Sequence, residues 1–275
     1  MKSQGIDGGF YSFRWTSNRS WVRQTSRFLL LVLAVTCLRG HPQQALAVEE
    51  ALQAVKSSIS DAAGPRDVRL IAVSKFIPAD VIRTAHDAGQ VDFGENYVQE
   101  LLDKAAELPN SIRWHFIGRL QSNKVKKLLE LPNLVSIETV DSANLAKRIA
   151  NVAADARTEP LDLSIQVDTS NEETKGGVQP QDAMDLAESI VNLGSVRLAG
   201  LMTIGAAGDL SAFDRLKDLR RKMAKHLQVP EESLQLSMGM SGDFKEAIKR
   251  GATSVRVGSS IFGARPLTRP PRKAS

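Results

Sequence analysis

The chain has 275 residues, 42% of them hydrophobic and 24% charged, the balance of a globular protein with room for one large domain or two small ones. Its net charge of +5 arises in residues 1–47, where Lys2, Arg14, Arg19, Arg23, Arg27 and Arg39 face one acid, Asp7, leaving 30 basic and 30 acidic residues in the rest. A neutral body with 5% aromatic residues lacks the basic stripe and stacking side chains that nucleic-acid binding calls for, so that class is set aside.

Residues 1–47 read as a targeting leader that is removed from the mature protein. They are rich in Arg and Ser, carry an apolar stretch over 28–38, and close on Ala45-Leu46-Ala47, a small-residue pattern of the kind signal peptidases cut. Eleven apolar residues fall short of the roughly 20 that span a bilayer as a helix, so no stable membrane anchor is expected. The long basic lead-in favours a plastid or mitochondrial transit peptide over a secretory signal. A cytoplasmic protein with a misassembled gene start is the remaining alternative. Cys37, the only cysteine, lies in this segment, leaving the body without an internal disulfide or a cysteine nucleophile.

From Glu49 onward short β-like runs alternate with helical stretches. The first run, 70–73, reads as a buried strand that delivers Lys75 just beyond its end. A lysine held by a rigid, dry element loses its proton more readily than one in water, and a neutral amine condenses with an aldehyde to a Schiff base. The competing reading is a solvated charge closing the strand. A helix over 78–88 follows, then strands at 91–93, 112–116 and 134–139, a helix over 144–154, strands at 163–167 and 198–202, and a helix over 210–227. Gln121-Ser122-Asn123-Lys124 opens a further helix, whose Lys124, Lys126 and Lys127 form a solvated face or a second cofactor or partner contact. His86 and His226 fall on helices without metal-ligand spacing, and no metal is expected.

Strand seven, 234–237, runs into Ser237-Met238-Gly239-Met240-Ser241-Gly242-Asp243, and strand eight, 254–257, runs into Gly258-Ser259-Ser260. Both turns are small and hydroxyl-rich, and both open helices. Such turns present backbone N–H groups and hydroxyls to a dianionic phosphate; the alternative is plain N-capping by Ser241 and Ser259. Alternation between Val255 and Val257 points Arg256 inward. A buried guanidinium needs an acceptor, either a carboxylate such as Glu95 or Asp168, or a ligand atom such as a pyridine nitrogen.

Eight strands, each followed by a helix or a helix-sized gap, predict an α/β fold, a single (β/α)8 TIM barrel over residues 48–265, rather than a doubly wound sheet of five or six strands. Active sites of this fold lie at the C-terminal strand ends, with phosphate held after strands seven and eight. The tail at 266–275, rich in Pro and basic residues, reads as disordered.

The motifs Ala72-Val73-Ser74-Lys75, Phe93-Gly94-Glu95-Asn96-Tyr97-Val98-Gln99-Glu100, Trp114-His115-Phe116-Ile117-Gly118, Leu120-Gln121-Ser122-Asn123-Lys124, Gly200-Leu201-Met202, Leu236-Ser237-Met238-Gly239-Met240-Ser241 and Val255-Arg256-Val257-Gly258 are similar, in this order, to those of the pyridoxal phosphate homeostasis proteins. The resemblance runs over about 49–265. It implies a barrel like the N-terminal domain of alanine racemase, with pyridoxal 5'-phosphate on Lys75. Asn96 and His115 are then expected near the cofactor, Arg256 at the pyridine nitrogen, and Met240, Ser241, Gly258 and Ser259 at the phosphate. Arg119 stands where the family usually has His or Pro, Asp168 where Asn is common, and Ser259 where Thr is common. Asp168 has Arg119 or Lys175 as a candidate partner.

The resemblance implies a monomeric, non-catalytic carrier that buffers pyridoxal phosphate in vitamin B6 and amino-acid homeostasis, with recipient apoenzymes as partners. The rival is a pyridoxal-phosphate-dependent amino-acid racemase or decarboxylase. Racemisation of the alanine racemase kind resembles a two-base reaction whose second base is a tyrosine from an additional domain. Tyr11 in the leader and Tyr97 early in the barrel are the only tyrosines, so that base is not expected here.

Overall fold

The structure, a computed structural model, describes residues 42–264. Cys37, the apolar stretch at 28–38 and the tail at 266–275 lie outside the described residues. Ala45-Leu46-Ala47 falls within the first helix, α1 (Pro42–Ala63), which sets Val48, Leu52, Val55 and Ile59 into the core at helical spacing.

Eight parallel strands pair in chain order, and β8 returns to β1 to close the barrel. They are β1 (Arg69–Val73), β2 (Asp92–Glu95), β3 (Arg113–Phe116), β4 (Leu134–Val140), β5 (Leu161–Gln166), β6 (Val196–Met202), β7 (Gln235–Ser237) and β8 (Ser254–Val257). Each is followed by its helix: α2 (Ala79–Asp87), α3 (Val98–Glu107), α4 (Val125–Leu129), α5 (Ala143–Ala156), α6 (Ala183–Val191), α7 (Ser211–Leu227), α8 (Phe244–Lys249) and α9 (Ser259–Phe262). The expected barrel is the observed one. The strand read at 91–93 extends to Glu95, whose charge reads as a strand end in sequence but is wholly buried in the fold.

Alternation along the strands separates two interiors. Trp114 and Phe116 of β3, Ile137 of β4, Leu163 and Ile165 of β5, and Val255 and Val257 of β8 join the apolar layer between strands and helices. Each such burial stabilises the fold by about 1.5–3 kcal/mol. The intervening residues His115, Ser136, Glu138, Ser164, Gln166, Ser254 and Arg256 are buried on the other face. Ser237 of β7 donates to Glu138 of β4 at 2.6 Å, and these strands are not neighbours, so the bond crosses the lumen. A polar lumen must satisfy its own hydrogen bonds, and here Glu138, Arg256 and His115 do so through the hydroxyls of Ser237 and Ser136.

Candidate functional site

Lys75 lies two residues beyond β1, half-buried in a turn at the C-terminal rim. Ser74 continues the sheet by donating its N–H to Gly94 O at 3.0 Å, and its hydroxyl donates to Glu95 Oε1 at 2.7 Å. Burial pushes the Glu95 carboxyl up to about 7, against the pull of Lys104 at 2.6 Å. Ile71 and Ala72 of β1 stand in register with Arg256 and Val257 of β8. Lys75 and the Gly258-Ser259-Ser260 turn therefore leave adjacent strands at the same rim.

The two hydroxyl-rich turns meet there. The N–H groups of Gly258 and Ser260 both donate to Ser241 Oγ, at 3.2 and 3.4 Å, joining the loop after β7 to the loop after β8. Ser241 caps no helix: Asp243 stands at the cap of α8 and Gly258 at that of α9. The N-capping alternative therefore gives way, for Ser241 to a loop-to-loop contact and for Ser259 to the first position inside α9. Gly239 permits it, since its φ is +94° and a Cβ there would sit 2.6 Å from Ala247 Cβ of α8. Asp243 Oδ1 accepts the Met240 N–H at 2.6 Å, leaving the Met240 side chain 40% exposed, and Ser259 is exposed as the first residue of α9.

Arg256 points into the lumen. Its Nη1 donates to Ser237 Oγ and its Nη2 to Thr203 O, both at 2.7 Å. Neither Glu95 nor Asp168 is its partner; the carboxylate it reaches is Glu138, through the Ser237 hydroxyl. Burial alone would raise the Glu138 carboxyl, but His115 and Arg256 hold it below the usual carboxylate range. His115 lies deeper, its Nε2 2.8 Å from Asp92 Oδ1 and its Nδ1 2.7 Å from Ser136 Oγ and 3.5 Å from Glu138 Oε1. Burial opposes its charge, yet Asp92 and Glu138 outweigh burial and lift the imidazole above its ordinary value. His115 thus connects to the rim through Glu138, Ser237 and Arg256. Of this chain, Glu138, Ser237 and Thr203 had no role assigned from sequence, because their partners come from distant strands.

Asn96 follows β2, and its buried Oδ1 has no hydrogen-bond partner among the described residues. The loop after β3 presses on it, for a Cβ at Gly118 would come within 2.0 Å of Asn96 O. Beside Asn96 opens a cleft of about 870 Å³ that Tyr97, Arg119, Ser122 and Lys124 also line. Lys124 is exposed, as are Lys126 and Lys127. Asp168 pairs with neither Arg119 nor Lys175. Its Oδ1 accepts the N–H groups of Ser170 and Glu172 at 3.2 and 3.0 Å, and Lys175 turns to Glu172 and Gly205 O. Among the described residues no cluster of His, Cys, Asp and Glu could hold a metal ion.

A family model described as the alanine racemase N-terminal domain matches residues 49–266. The pyridoxal phosphate homeostasis protein of Schizosaccharomyces pombe is 46% identical over 229 residues, spanning 81% of this chain and 95% of that protein. The structure of PipY from Synechococcus elongatus with PLP bound superposes with a TM-score of 0.69 at 36% identity, over 78% of this chain and all of that one. Alanine racemase from Corynebacterium glutamicum, 18% identical, shares the fold with a TM-score of 0.61 over 80% of this chain and 62% of its own.

Proposed function

The chain belongs to the alanine racemase N-terminal domain family and, within it, to the pyridoxal phosphate homeostasis proteins, and from that premise we propose that it holds pyridoxal 5'-phosphate on Lys75 and carries and buffers it for recipient apoenzymes. The observation that carries this reading is the junction of the two phosphate-type turns on Ser241, at the rim where Lys75 emerges and above the lumen guanidinium of Arg256. The residues suit the group. The amides and hydroxyls of the Met240-Ser241 and Gly258-Ser259 turns are neutral donors for a dianionic phosphate, and the unpartnered Asn96 Oδ1 is a buried acceptor ready for a donor on the bound molecule.

When bound, pyridoxal phosphate supplies an aldehyde that condenses reversibly with a primary amine and releases water. Lys75 provides the amine. Arg256, a donor that does not give up its proton, would hold the ring nitrogen unprotonated, and the ring would then be a weak electron sink. His115 and Glu138 act through Arg256. Reversible attachment of the aldehyde to the Lys75 amine suits storage and release, and the carrier reading is taken on that ground together with the relatives' name.

The test mixes loaded protein with a pyridoxal-phosphate-dependent apoenzyme in the presence of a phosphatase that destroys the free cofactor, and incubates a second sample with alanine in deuterated water. A carrier restores the recipient's activity and leaves the alanine α-proton unexchanged. Sustained α-proton exchange at many turnovers per site would establish the racemase reading instead. The composition of residues 1–47 extends the proposal to an organelle, plastid or mitochondrion, as the place of action.

A further inference from the structure

Helix α3 sends two charged side chains to the turn that carries Lys75. Lys104 Nζ donates to the carbonyl of Ser74 at 2.7 Å, and Glu100 Oε1 accepts the N–H of Phe76 at 2.6 Å. The backbone groups on either side of Lys75 are thereby tied to one helix. Lys104 also donates to Glu100 Oε1 and to Glu95 Oε1, at 2.6 Å each, so the two anchors hold one another. Phe76 between them has φ +64°, a conformation that a bulky residue keeps only where its surroundings over-determine it. Its ring stacks on Tyr97, just before α3, with centroids 5.3 Å apart.

Stability does not account for this cluster. Glu95, Glu100 and Lys104 are 0%, 5% and 7% exposed, and burying two carboxylates against one ammonium is a poorer stabiliser than apolar packing of equal volume. The Oε2 atoms of both glutamates are buried without a partner among the described residues. What the cluster does achieve is geometric, because each of its two backbone bonds ends on a neighbour of Lys75.

We propose that Glu100 and Lys104 are positioning residues for Lys75, fixing the Ser74 carbonyl and the Phe76 amide so that the amine meets the phosphate-binding rim in one orientation. The proposal rests on the reading of Lys75 as the cofactor lysine. Loss of either anchor lets Phe76 relax out of the left-handed region and turns the peptide groups flanking Lys75.

Hydrogen exchange at the Phe76 amide of cofactor-free protein, paired with titration by pyridoxal phosphate, tests it in wild type, Glu100→Ala and Glu100→Gln. In the wild type the Phe76 amide should exchange as slowly as those of β1. Glu100→Ala should exchange there about tenfold or more faster and, at saturation, show a smaller share of its bound cofactor in the visible Schiff-base absorbance, with affinity weakened on the order of tenfold. Glu100→Gln keeps an acceptor for Phe76 and should restore both readouts. A purely structural role would lower thermal stability without changing that share in folded protein. Wild-type protection and absorbance in a folded Glu100→Ala protein would overturn the proposal. Where Glu100→Ala does not fold, rapid exchange of Phe76 in the wild type would do so. A wild type that takes up no pyridoxal phosphate defeats the cofactor reading alone, and the exchange arm still decides the clamp.

Discussion

Glu95 keeps its proton to a higher pH than an exposed glutamate does. Its value, about 7 in the fold against 4.5 ordinarily, means that the folded state binds more protons than the unfolded state between those two values. Stability therefore falls as pH rises through that window, by about 3 kcal/mol in all, and stays lower above it. The urea midpoint should drop between pH 5 and pH 8 and drop less in Glu95→Gln; equal losses would contradict the assignment. His115, also raised, contributes stability that fades as pH rises through its folded value, while Asp92 and Glu138, held low, contribute stability that is present at neutral pH and lost as pH falls into the acid range. Ser237→Ala should cost about 1–3 kcal/mol, since it leaves Arg256 Nη1 and Glu138 Oε2 short of a partner, and should weaken pyridoxal phosphate binding in titration. An unchanged affinity would remove Ser237 from the support of Arg256. The inward aim of Arg256 was legible from its flanking valines. Its partners were not, because Thr203, Ser237 and, through it, Glu138 reach it from the end of β6, from β7 and from β4, a pairing that only barrel closure creates.

At the scale of elements, the strand ends carried the legible part of the candidate site. Lys75 after β1 and the two hydroxyl-rich turns after β7 and β8 announce themselves locally, through composition and position. Helix α3 did not. Glu100 and Lys104 stand at i and i+4, the spacing of an ordinary exposed helix pair, and only burial distinguishes a clamp from a solvated face. The loop after β3 makes a sharper test of how elements support the site. Gly118→Ala would put a Cβ 2.0 Å from Asn96 O, so one backbone must move. A destabilisation of about 1–3 kcal/mol is expected together with weaker cofactor uptake. Full uptake at wild-type affinity would show that Asn96 is not held by this contact.

At the scale of the molecule, the count of eight strand-and-helix units decided the barrel before any contact was known, and the lumen then brought residues far apart in the chain into one polar chain from Asp92 to Arg256. The lumen's polarity was harder to read, since buried serines and carboxylates look like surface residues until alternation is matched to a closed sheet. The charge asymmetry between residues 1–47 and the rest belongs to this scale too. A fluorescent fusion of residues 1–50 should enter a plastid or mitochondrion, and a purely cytosolic signal would defeat the targeting proposal. The claim on which the rest depends is that Lys75 is the amine that holds pyridoxal phosphate. Borohydride reduction of the loaded protein, followed by peptide mass mapping beside a Lys75→Ala variant, tests it most directly. A visible absorbance bleached by borohydride and the cofactor's mass fixed on Lys75 are expected, with both lost in the variant. Cofactor mass on another lysine, or a wild type that stays colourless with added pyridoxal phosphate, would contradict it.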